Sequence, residues 1–170
     1  APWADSAVPH PRQADLAALI DALNAAGVEY LVVGGGAAVI HGAGVSTLDL
    51  DIVPRRTEDN AERLLRVLTG LDVHIIEPMK RQLAPRASDF LGRGQLNLST
   101  SLGPLDVLCV LHDGRGYDEL LDHTLAIGGD LPVRVLDLPT LVQIKSSTGR
   151  AKDRLMLPQL LALLERGQSD

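Results

Sequence analysis

The sequence predicts an α+β fold of α/β-like character, with short strands and amphipathic helices following one another in a single domain. Three observations carry this. Aliphatic and β-branched runs, at residues 29–33 and 105–111, end in turn-forming or polar segments. Apolar residues recur at three- and four-residue spacing in segments near 16–23 and 64–68. The C-terminal portion reads as two consecutive helices. The 170 residues suit one domain, 1–170, with no internal repeat and no linker rich enough to divide it.

In chain order, residues 1–13 hold three prolines and no periodic pattern, which predicts a loose N-terminal arm. Leu16, Leu19, Ile20 and Leu23 mark an amphipathic helix that Gly27 ends. Residues 29–33 form a buried strand that stops at Gly34, Gly35 and Gly36, followed by a sharp turn into a short helix of small residues. Residues 48–53 alternate, with Asp49 and Asp51 on one face and Leu48, Leu50 and Ile52 on the other, and Pro54 closes the strand. Thr57 is a good N-cap, Glu58 and Asp59 suit a first helical turn, and Leu64, Leu65 and Leu68 give the apolar stripe. A further strand is expected at 73–76. Residues 81–94 mix charges with a proline and two glycines and read as a mobile loop. Residues 95–100 and 105–111 form a hairpin through a turn at Gly103-Pro104, the second strand central by its apolar density. A short strand at 133–136 precedes helices at about 138–147 and 151–164, the latter kinked at Pro158.

Composition narrows the function classes. One Trp, two Tyr and one Phe leave the core to Leu, Val, Ile and Ala. The single cysteine, Cys109, excludes an internal disulfide, and its apolar surroundings predict a small buried hydrophobe. No apolar run is long enough to span a bilayer, and the first residues lack the basic-then-apolar pattern of a secretory signal. The expected location is the cytoplasm. A net charge of −6 argues against a surface coated for nucleic acid. Two local basic clusters remain: Lys80, Arg81, Arg86 and Arg93, then Lys145, Arg150, Lys152 and Arg154.

The chemistry lies in the acids and glycines. Side chains two apart on a strand share a face, so the Asp49 and Asp51 carboxylates are expected to point into one small volume. Adjacent like charges are costly unless a proton or cation lies between them, and a divalent metal takes hard oxygen ligands. Asp106, in a strongly apolar strand, needs a partner. A strand position beside the Asp pair would complete a three-carboxylate metal site. Backbone N–H groups at Gly34, Gly35 and Gly36 can approach a phosphate closely. His41 is expected to cap or pack rather than touch substrate.

These residues carry a resemblance. Leu31-Val32-Val33-Gly34-Gly35-Gly36-Ala37-Ala38-Val39-Ile40-His41-Gly42, then Ser46-Thr47-Leu48-Asp49-Leu50-Asp51-Ile52, resembles the DNA polymerase β-type nucleotidyltransferases. It is similar in particular to the minimal AbiEii/MenT-like branch of bacterial toxin–antitoxin pairs. Lys145, then Gly149-Arg150 and Lys152-Asp153, resembles the C-terminal helix pair of the same relatives. Two positions depart: Val45 stands where relatives carry Arg, and Met156 where they carry an acid.

The resemblance implies a mixed β-sheet flanked by helices. It implies Mg2+ or Mn2+ on Asp49, Asp51 and Asp106, with Asp106 as third ligand or base. Gly34 and Gly35 would contact the triphosphate of a nucleoside triphosphate. Lys145 would act as a catalytic cation, Arg150 and Lys152 would line the same site, and Asp153 would orient one of the cations. The implied activity is transfer of nucleotides to an RNA 3′ end, that of tRNA, by a toxin with a cognate antitoxin protein. Alternative readings are transfer to a protein hydroxyl or a small molecule, or a non-catalytic partner-binding protein of the same fold. Thr47, two residues before Asp49, is a candidate regulatory phosphorylation site: a phosphate there would add roughly −1.5 to −2 charges beside the metal.

Overall fold

Local chemistry starts each element of the chain, which is described over residues 8–79 and 81–169 by a computed structural model. Helix α1 (Leu16–Ala25) begins where the Asp15 side chain accepts from the Ala18 N–H, and it buries Leu19, Ile20 and Leu23. Strand β1 (Tyr30–Val33) is buried along its whole length and passes directly into α2 (Gly34–Ile40). Strand β2 (Leu50–Pro54) leads to α3 (Glu58–Gly70), where Thr57 accepts from the Asn60 N–H and Glu58 and Asp59 occupy the first turn as expected. Next come β3 (His74–Ile75), β4 (Gln95–Thr100), β5 (Gly103–Leu108), α4 (Tyr117–Leu120), β6 (Thr124–Ile127) and β7 (Val133–Leu136). Helix α5 (Leu138–Thr148) is capped by Asp137 and ends at Gly149, whose left-handed backbone separates it from α6 (Ala151–Ser169).

The strands form one mixed sheet in the order β3-β4-β5-β2-β1-β7-β6, flanked by helices. Strand β1 is antiparallel to β2 and parallel to β7, while β2 is parallel to β5. One apolar cluster, built from Leu, Val, Ile and Ala with Phe90 and Tyr30, packs the sheet against the helices. Among the described residues no helix is long and apolar enough to cross a membrane.

Several expectations are corrected. Strand β2 starts at Leu50, so Asp49 sits in a bend before it, and Leu48 is 64% exposed rather than facing the core. Pro54 is the last strand residue, paired with Tyr30, rather than a stop beyond it. Gly103 and Pro104 belong to β5, and residues 109–111 leave the ladder. Within residues 81–94, expected as a mobile loop, a 3-10 turn at Ala87–Phe90 holds Phe90 fully buried.

His10 of the arm and the two residues that follow the arm are hydrogen bonded to the rest of the fold. Ala14 N–H donates to the Leu48 carbonyl at 2.7 Å and Asp15 N–H to the Leu102 carbonyl at 2.9 Å. His10 is hydrogen bonded to Ser99 and Asp72. Residues 1–7 of the arm, and Lys80 of the first basic cluster, lie outside the described residues.

Candidate functional site

Parallel register builds the acidic centre. Strands β2 and β5 place Asp51 directly opposite Asp106, on the same face of the sheet. Asp49 joins them from the bend before β2. One carboxylate oxygen from each of the three lies within 4.8 Å of the others. The sequence-based reason for the pairing of Asp49 with Asp51, a shared strand face, is therefore replaced by a bend that brings them to the same place.

This arrangement suits a cation. The Asp51 Oδ1 atom is buried and has no hydrogen-bond partner among the described residues, a costly state for a carboxylate oxygen. Burial, followed by the charge of Asp49, raises the Asp51 pKa against the opposing effects of Asp106, Lys145 and Lys152. Burial, followed by a hydrogen bond with Asp49 and the charges of Asp49 and Asp51, raises that of Asp106. Three converging oxygen donors, one of them orphaned, fit a hard divalent ion.

Two glycines bring the backbone close to Asp51 and to Thr47. Gly34 opens α2 with φ of +62°, and a Cβ there would lie 2.2 Å from Asp51 Oδ2. A Cβ on Gly35 would lie 2.8 Å from the Thr47 hydroxyl. Gly36 packs inward against Leu50 and Val32. The expected result for Gly34→Ala is a chain destabilised by about 1–3 kcal/mol through backbone strain. Displacement of Asp51 should also weaken Mn2+ binding, and thermal melts with metal titration check both.

The cations stand on the other side of the cleft. Lys145 and Asp153 are buried, and Lys145 Nζ donates to Asp153 Oδ1 at 2.8 Å. Arg150 Nε donates to Asp153 Oδ2 at 2.9 Å, and the Thr148 hydroxyl bonds the same oxygen. Asp153 thus orients both Lys145 and Arg150, where the sequence suggested one cation. Lys152 is exposed, but its charge reaches Asp51. Burial would raise the Asp153 pKa; the hydrogen bonds from Lys145, Thr148 and Arg150 overcome it and hold the group at about 2. A depressed carboxylate stabilises the fold above its unfolded pKa and loses that contribution as pH falls through its folded one. About 2 kcal/mol should therefore disappear between roughly pH 4 and pH 2. The loss should be absent in Asp153→Asn, as read by denaturant melts across that range.

A cavity of about 640 Å3 joins the two sides. Gly34, Asp51, Lys145, Thr148 and Arg150 line it, with aliphatic walls from residues such as Leu108 and Ile144. Sequence reasoning did not single out Thr148, Gln95, His112 or Ser147, which also line it; Arg93 had been noted only as a member of a basic cluster. Thr148 offered one signal, as the residue before the Gly149 helix stop. His41 bonds the Leu136 carbonyl at 2.8 Å, a packing role. The Thr47 hydroxyl donates to the Asp49 carbonyl at 3.0 Å.

The seven-stranded mixed sheet flanked by helices is the fold of solved nucleotidyltransferases. The chain superposes on the lincosamide antibiotic adenylyltransferase LnuA, solved with lincomycin bound, with a TM-score of 0.61 at 12% identity, covering 90% of this chain and 99% of that one. It also superposes on TM1012 of Thermotoga maritima, assigned as a nucleotidyltransferase, with a TM-score of 0.52 at 17% identity, covering 86% and 90%. No protein-family model matches the chain, and no curated protein matches it.

Proposed function

We propose that this chain is a metal-dependent nucleotidyltransferase that moves a nucleotide from a nucleoside triphosphate to an acceptor hydroxyl. The convergence of Asp49, Asp51 and Asp106 beside the Gly34 turn and the Lys145–Asp153 pair carries this reading. The three carboxylates would hold Mg2+ or Mn2+. When bound, such an ion stabilises charge on the attacking and leaving oxygens of a phosphoryl displacement. Gly34 and Gly35, at the start of α2, would contact the triphosphate through their backbone, as the resemblance implies. Lys145, Arg150 and Lys152 supply positive charge toward the leaving pyrophosphate, with the first two oriented by Asp153. The acceptor oxygen bonds the α-phosphorus, the bond to the β-phosphate oxygen breaks, and Asp106 takes the hydroxyl proton.

The resemblance to the AbiEii/MenT-like branch supports an RNA acceptor, the 3′ end of tRNA, and a toxin role held in check by an antitoxin protein in the cytoplasm. A phosphate on Thr47 would break its bond to Asp49 and add negative charge beside the cation, switching transfer off. A second acceptor reading, a small hydroxylated molecule, draws on the aliphatic cavity walls and the scarcity of aromatics for base stacking. The likeness to an enzyme solved with lincomycin bound also supports it. Incubation with each α-labelled nucleoside triphosphate, Mg2+ and either total RNA or a small-molecule panel separates them. Metal-dependent label on RNA supports the first; label on small molecules alone replaces it with the second; no label on any acceptor removes the transferase reading.

A further inference from the structure

We infer that the N-terminal arm around His10, with Ala14 that follows it, is a positioning element for Asp49, and that its seat on the sheet sets the cation affinity of the acidic centre. The inference rests on the cation-site reading above. Asp51 and Asp106 are held by strand register, but Asp49 lies outside any strand. Its two flanking peptides are fixed by bonds from elsewhere. On one side the Thr47 hydroxyl holds the Asp49 carbonyl. On the other, Ala14 N–H holds the Leu48 carbonyl at 2.7 Å, in the same peptide unit as the Asp49 nitrogen. The arm therefore fixes the plane from which Asp49 departs.

Three features seat the arm. The His10 side chain is 9% exposed, with Nδ1 2.6 Å from the Ser99 hydroxyl and Nε2 2.9 Å from Asp72 Oδ2. Its ring stacks on His74, with centroids 4.7 Å apart and planes 21° from parallel. Asp72 holds its side of this contact from a left-handed backbone, φ of +55°, which a non-glycine residue seldom adopts. Farther along, Gly103 at φ of +107° lets the arm lie on the β4–β5 turn: a Cβ there would come within 2.5 Å of Ala14 Cα and 2.6 Å of the Gln13 carbonyl. A doubly bonded histidine and a glycine-only seat are more than a segment needs merely to enter α1, which Asp15 already caps.

The test is Mn2+ affinity of the full chain, read from the electron paramagnetic resonance signal of free Mn2+. Wild type, His10→Ala and Gly103→Val are compared, each also with Asp49→Asn. Binding should be about 10–100-fold weaker in the two arm variants, the range that outer-shell partners of a metal site command. Far-UV circular dichroism should be unchanged. With Asp49→Asn present, the arm changes should cost nothing further, because their effect passes through that side chain. Should Gly103→Val fail to fold, Ser99→Ala removes one hydroxyl and carries the same expectation at several-fold. Wild-type affinity in His10→Ala and Ser99→Ala, or equal losses with and without Asp49, would overturn the inference while leaving the cation site standing. A wild-type chain that binds no Mn2+ sinks the site itself, and the inference with it.

Discussion

Asp51→Asn should abolish nucleotidyl transfer and, at the same time, make the metal-free chain more stable. The two effects share one cause. Asp51 places a buried oxygen with no hydrogen-bond partner beside two other carboxylates. Its charge is unfavourable in the fold unless a cation compensates it. Asparagine keeps the shape, removes the charge and offers an N–H2 that can donate to Asp49 or Asp106. Metal-free stability should rise by about 1–2 kcal/mol, a few degrees in melting temperature for a chain of this size. Turnover should fall by a factor on the order of 10³, because a direct ligand counts for more than the tenfold to hundredfold of its supporting partners. Function bought at a stability cost is common at active sites. A melt in chelator and a transfer assay in Mg2+, run on the same preparation, check both halves. If Asp51→Asn lowers the metal-free melting temperature, the acidic cluster is not strained by repulsion.

Lys145→Met should give the largest loss of stability among the cationic residues. Its ammonium lies 2.8 Å from Asp153 Oδ1, and the two side chains are only 7% and 1% exposed. Removing one partner of a buried pair leaves a charge that water cannot reach, typically a cost of 3–5 kcal/mol. Thr148 and Arg150 remain on the other oxygen of Asp153, which places the expected loss at about 3 kcal/mol, the lower end of that range. Turnover should also drop by about 10²–10³, as when one preorganised charge-stabilising group is lost. A double variant separates the two roles. Lys145→Met with Asp153→Leu replaces the pair by apolar groups, which is often neutral or stabilising. It should recover most of the stability and none of the transfer. Recovery of transfer would show that Lys145 matters only as a structural partner.

The fold was legible in the sequence wherever local chemistry and tertiary packing agreed. The Thr57 cap, the apolar stripe of α3 and the glycine stop after β1 each mean one thing locally, and the chain adopts it. Strand β6 was not legible, since Thr124–Ile127 is an edge strand defined by pairing with β7 rather than by its own pattern. The anchor in residues 81–94 was hidden because a single buried Phe90 outweighs the polar, glycine-bearing segment around it. At the site, Asp49, Asp51 and Asp106 were visible as residues but not as a geometry. Alternation put Asp49 on a strand, whereas hydrogen bonds from Thr47 and Ala14 hold it in a bend. His10 gave no local signal at all. Its partners, Asp72 and Ser99, are 62 and 89 positions away, and only the fold brings them to it.

The claim on which the rest depends is that three carboxylates close on one cation. A crystal grown with Mn2+ and a non-hydrolysable nucleoside triphosphate analogue, measured for anomalous scattering, tests it directly. The account predicts a peak bounded by oxygens of Asp49, Asp51 and Asp106 at roughly 2.1 Å, the distance of an octahedral oxygen site. The triphosphate should lie between Gly34 and Lys145. A peak elsewhere, or well-ordered nucleotide with no metal among the three aspartates, would contradict it.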